Sequence, residues 1–207
     1  MSSQLPSPPR SARLVGYLMI GAALLAVFAM AHHPDASGST ALARAVHGGL
    51  LVLSLLLLAG FWMVSEKMGL GLVSVKMAMV AYTYGVFAVC IAGTVNGFVV
   101  PALIDAEALD KDLFRFAWEL NQSLAYGSAY AVAAASVLWG AVLIRRQGVL
   151  ARVLGAAGLL TGAIPAALLA SDALDMHIAG AMAVYSAHWV FAGLAGAWLA
   201  FAQDAPG

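Results

Sequence analysis

Long apolar runs separated by short polar breaks dominate the chain. The runs cover roughly residues 14–31, 42–64, 73–99, 114–144, 149–170 and 177–201. An α-helix needs about 20 apolar residues to cross a bilayer at ~1.5 Å per residue, and each run is of that order. The breaks have identifiable causes. Pro34, Ser37 and Gly38 end the first run, and Glu66, Lys67 and Gly69 to Gly71 separate the second from the third. Pro101 is expected to close the third, with a charged loop over Asp105 to Asp112. Arg145, Arg146 and Gly148 divide the fourth from the fifth, and Ser171 to Asp175 form a polar turn before the sixth. This pattern predicts an all-α, polytopic membrane protein with six transmembrane helices. The fourth run is longer than a bilayer requires, so it is expected to tilt or to project beyond the hydrocarbon.

Composition agrees. Of 207 residues, 63% are hydrophobic and 10% charged. A soluble domain is nearer half apolar and a quarter charged, and a chain this short could not bury the excess, so lipid must cover it. Positive charge followed by the apolar run at 14–31 resembles a secretory signal. That run is ~18 residues, against ~7–15 for a signal core, so it is read as a retained first helix. Residues 1–13 are then expected to form a disordered tail, 14–201 the bundle and 202–207 a C-terminal tail.

The Lys and Arg residues set the expected orientation. With the N-terminus inside, Arg10, Arg13, Lys67, Lys76, Arg145, Arg146 and Arg152 lie on the inner side, and Arg44, Lys111 and Arg115 on the outer. Seven against three satisfies the positive-inside bias, with both termini cytoplasmic in a bacterial inner membrane. A formal net charge of zero argues against nucleic acid as a partner. The single cysteine, Cys90, excludes an internal disulfide and a thiolate-built zinc or iron–sulfur centre. The 21 glycines suit close helix contacts, within the chain, in a homo-oligomer or against other membrane proteins.

The candidate chemistry is concentrated at one end. All five histidines, His32, His33, His47, His177 and His188, fall in the predicted outer half or near the midplane. Asn96, Glu119, Asn121, Gln122, Asp172 and Asp175 join them. Ionisable groups within membrane helices are costly and default to functional candidates. On the sixth helix, His177, Ala181, Val184 and His188 make one stripe, which puts His188 about 16 Å from His177 at ~1.5 Å per residue. On the fourth, Glu119, Gln122, Tyr126 and Tyr130 make another, with Asn121 and Ser128 on a neighbouring face. On the third, Tyr82, Gly85, Val89, Gly93 and Asn96 align.

These placements predict a polar pocket opening outward and binding or passing a small polar or quinone-like ligand. His47, Asn96, Glu119, Gln122, Tyr126 and His188 are its candidate residues. Two cofactor readings compete. His47 and His188 are the best axial pair for haem b. His47, Glu119, His177 and His188 are a candidate transition-metal set, imidazole and carboxylate suiting zinc, copper, iron or nickel. No H-E-x-x-H or H-x-x-x-H element supports the latter. A further reading is a non-catalytic accessory subunit whose polar residues are satisfied locally.

Overall fold

The computed structural model describes residues 10–33, 39–106 and 110–202. Most of the expected N-terminal tail, the break at 34–38, Glu107 and residues 203–207 lie outside them. The described residues form helices and short connections, without strands. The helices are α1 (Arg10–Ala31), α2 (Thr40–Met68), α3 (Val73–Thr94), a π-helical turn (Val95–Val99), α4 (Val100–Asp105), α5 (Lys111–Leu143), α6 (Val149–Ala170) and α7 (Ile178–Phe201). Six segments among them are long and apolar enough to cross a membrane, with α3, the π turn and α4 acting as one span, Val73–Asp105. Helix α1 begins at Arg10, ahead of the apolar run itself.

The third span corrects the expectation that Pro101 closes it. Pro101 has no N–H to donate to the carbonyl of Gly97, and its ring crowds that carbonyl. The chain widens by one residue instead of stopping. Val100 N–H reaches back to the carbonyl of Val95, and helical structure resumes to Asp105. Isolated π turns are rare and recur at functional sites. This one carries Asn96.

Packing follows the glycines. Helices α1 and α7, α3 and α5, and α5 and α6 make the most extensive contacts. At the α1–α7 crossing a Cβ on Gly16 would stand 2.5 Å from the carbonyl of Gly196, and one on Gly196 2.7 Å from that of Gly16. The two backbones touch, which only hydrogen side chains on both helices allow. At the centre, Phe61, Tyr82, Trp139 and Phe191 are fully buried. Phe61 stacks on Trp139 with centroids 4.6 Å apart and planes 9° off parallel, and Trp139 Nε1 donates to Ser65 Oγ at 3.0 Å.

The basic residues at the end shared by the α2–α3 and α5–α6 turns close helix ends. Arg146 donates to the carbonyls of Lys67 and Met68, at the last turn of α2. Lys67 Nζ donates to the carbonyl of Ala202, past α7, at 3.0 Å and lies 4.9 Å from the Trp198 ring centroid. Cations at helix C-termini satisfy orphaned carbonyls and oppose the helix dipole. At the opposite end, Asp110 caps α5 by accepting from the N–H groups of Asp112 and Leu113. There Arg44 of α2 also pairs with Asp105 of α4 at 3.0 Å. That pair is exposed and adds little to stability.

Candidate functional site

A cavity of about 300 Å³ lies between α2, α3, α5 and α7. It runs from the end holding His33, Thr40 and Trp118 down to Tyr82 and His188. Most of its wall is apolar, including Leu50, Leu57, Val86, Ala92, Ala125, Val132 and Ala181. Its polar groups gather at two levels.

At the upper level are His33, His47 and Asn96. His33 follows the last turn of α1, where its N–H donates to the carbonyl of Met30. His47 is buried on α2. Its Nε2 lies 3.1 Å from His33 Nε2 and 3.3 Å from Asn96 Nδ2. Gly97 makes this approach possible, because any Cβ at that position would collide with the His47 side chain. The π turn therefore does two things: it presents Asn96 to His47, and it brings a residue without a side chain against the His47 stem.

At the floor, Tyr82 Oη and His188 Nε2 share a hydrogen bond of 3.2 Å. Both residues are buried, and Phe61 stacks beneath His188 at 5.7 Å. Phe61, Trp139 and Phe191 form a continuous aromatic layer below this level. The cavity is thus blind. Ser65, on α2 one turn beyond Phe61, already accepts from Trp139 Nε1.

Among the described residues, three buried side-chain atoms near the floor have no hydrogen-bond partner that meets geometric criteria: Ser128 Oγ, Tyr185 Oη and His188 Nδ1. Ser128 and Tyr185 are neighbours whose hydroxyls interact, but without reaching full hydrogen-bond geometry. All three residues line the cavity. Buried polar groups are almost always paired, and each exception calls for a reason such as a bound molecule.

The residues singled out from the sequence separate into two groups. His47, Asn96, Gln122 and His188 line the cavity. Glu119 is exposed and does not, and Tyr126 packs outside it against the cluster of Ala125, Ala129, Leu169, Met176 and Val184. The reason is rotation of α5. Its cavity face is Phe114, Trp118, Asn121, Gln122, Ala125, Ser128 and Val132, one position round from the stripe through Glu119 and Tyr126. His177 lines the mouth, where it stacks on Trp118 with centroids 6.0 Å apart. His32 is exposed and contacts the Phe28 carbonyl.

The set His47, Glu119, His177 and His188 is not brought together. Among the described residues no three His, Cys, Asp or Glu side chains form a group able to hold a metal ion. The proposed haem pair is also divided: His47 Nε2 faces His33 and Asn96, while His188 Nε2 faces Tyr82. Tyr185 and Trp118 are not among the residues singled out from the sequence, and Ser128 is placed there only on the face beside the candidate stripe. Tyr185 carried no signal, since an aromatic on an apolar helix usually denotes packing. Comparison with protein-family models, with curated proteins and with solved structures gives no match.

Proposed function

We propose that this membrane protein binds one small, largely apolar molecule that carries hydrogen-bonding oxygens at its buried end. The observation that carries the reading is the trio of unpartnered buried atoms, Ser128 Oγ, Tyr185 Oη and His188 Nδ1, beside an otherwise apolar cavity. The volume suits a compact ligand, near the lower limit of small-molecule sites at roughly 300–1,000 Å³. Apolar walls would hold the body of such a molecule, and the three polar atoms would orient it. A quinone or phenol has this character.

His188 suits either end of a hydrogen bond. If Tyr82 donates to Nε2, the Nδ1 proton is available to a carbonyl oxygen. If Tyr82 accepts, Nδ1 accepts from a hydroxyl. The site therefore fits both oxidised and reduced forms of a quinone-like molecule. The aromatic layer under the floor favours binding over passage, since a solute would have to part Phe61 from Trp139. The Lys and Arg distribution supports placing the mouth on the outer face of a bacterial inner membrane.

The test is chemical. Protein purified from native membranes in mild detergent, then denatured in organic solvent, is expected to release one molecular species at close to one per chain. A short-chain benzoquinone should quench Trp118 and Trp189, both in the cavity wall, with saturation. The proposal fails if the extract contains only bulk lipid and quenching rises linearly without saturating, as for simple partition into the micelle.

A further inference from the structure

We infer that His33 Nε2, His47 Nε2 and the side-chain amide of Asn96 form a binding site for one divalent transition-metal ion at the upper level of the cavity. This does not rest on the ligand proposed for the floor. It rests on how the three groups converge.

The first observation is the geometry of the two imidazoles. Their Nε2 atoms are 3.1 Å apart, their ring centroids 4.8 Å apart, and their planes 87° from parallel. Rings lying end to end along a straight N–H···N hydrogen bond would hold their centroids farther apart for the same N–N distance. The rings are instead bent off that straight line, which is the arrangement that two Nε2 atoms sharing one ion require. Two nitrogens bound to one divalent ion at ~2.0–2.1 Å each, at the tetrahedral angle, stand about 3.3–3.4 Å apart. The observed spacing of 3.1 Å is a little shorter and corresponds to an angle of about 100° at the ion.

The second observation is Asn96. Its amide nitrogen is 3.3 Å from His47 Nε2. The two ends of a carboxamide are interchangeable by a flip of the group, so the oxygen can take that position. It would then supply a third donor 3.3 Å from His47 Nε2. The residue is held there by the π turn that Pro101 imposes, and Gly97 clears the space beside it. The fold thus departs from regular helix at the place where the donors meet.

The donor chemistry narrows the ion. Two imidazoles and an amide oxygen suit Zn²⁺, Co²⁺, Ni²⁺ or Cu²⁺, and are poor for Mg²⁺ or Ca²⁺, which prefer oxygen alone. Three protein donors leave at least one coordination position open, as in sites where a metal meets solvent or substrate. Because all three residues line the cavity, that position would face into it. The grouping differs from the set expected from the sequence. His47 is common to both, while Glu119, His177 and His188 are replaced by His33 and Asn96.

The experiment uses tag-free, full-length protein in lipid nanodiscs, stripped with chelator and titrated with Co²⁺ and then Zn²⁺. One Co²⁺ per chain is expected, with the intense visible absorption of a low-coordinate nitrogen–oxygen site, abolished by one equivalent of Zn²⁺. His33→Ala and His47→Ala should each weaken binding at least 100-fold. Asn96→Asp should tighten it about tenfold, because a carboxylate replaces a neutral amide. That gain separates a metal site from a hydrogen-bonded cluster, since misfolding cannot produce it. The inference is overturned if the unaltered protein binds no stoichiometric Co²⁺, or if binding is indifferent to His33 and His47. It is also overturned if Asn96→Asp has no effect in a protein whose Tm is unchanged.

Discussion

In the double variant Ser128→Ala, Tyr185→Phe, retention of the co-purifying molecule is expected to fall about 100-fold while the melting temperature stays level or rises. The two effects have opposite signs for one reason. Neither hydroxyl makes a full hydrogen bond within the protein, so each bears a burial cost that their mutual contact offsets only in part. Removing a buried, unsatisfied hydroxyl with almost no change of shape relieves that cost, and a gain of about 1 kcal/mol is the expected scale. A ligand that had satisfied both groups would lose about 1–1.5 kcal/mol at each, and 1.4 kcal/mol is a factor of ten. The measurement is a thermal melt of the protein in nanodiscs beside quantitation of the extracted molecule. Loss of several degrees of Tm without change in retention would assign the hydroxyls to packing.

Phe61→Ala is expected to be the most damaging single substitution in the core. Phe61 is inaccessible and touches Tyr82, Trp139, His188 and Phe191 through its ring. Buried Phe→Ala changes cost about 3–5 kcal/mol in soluble proteins. Part of that is transfer from water, which is weaker where the alternative environment is lipid, so ~2–4 kcal/mol is expected here. The remainder is the lost packing of the aromatic layer. The same change removes the support of the floor and extends the cavity toward Ser65. Stability should be followed by denaturant titration in mixed micelles. Accessibility should be followed by thiol labelling of Ser65→Cys in a Cys90→Ala background. That cysteine is expected to be inert with Phe61 present and reactive once it is gone.

How much of this was legible in the residues follows from the physics of each feature. The number and positions of the spans were readable because lipid enforces long, uninterrupted apolar helices. The fate of Pro101 was not. A proline can stop a helix or widen it, and the choice depends on whether the residues around it gain contacts by continuing; here Gly97 and Asn96 do, against His47. Periodicity located the cavity face of α7, where Ala181 and His188 share a stripe. It failed by one position on α5, because Glu119, Asn121, Gln122 and Ser128 are spread over about half of the helix circumference and leave no narrow polar stripe. The pairing of His33 with His47 joins the residue beyond the end of α1 to α2, and nothing in local spacing encodes it. The unpartnered state of Tyr185 is a property of three-dimensional packing alone.

Whether a small molecule occupies the cavity is decided by an experimental density map of the protein taken from its native membrane, without exchange into harsh detergent. Compact non-protein density is expected between α2, α3, α5 and α7, with its polar end within hydrogen-bond distance of Tyr185 Oη or His188 Nδ1 and intact aromatic packing below. A map in which the walls meet and leave no room, or in which Phe61 and Trp139 stand apart around an open path, would contradict a blind, occupied cavity.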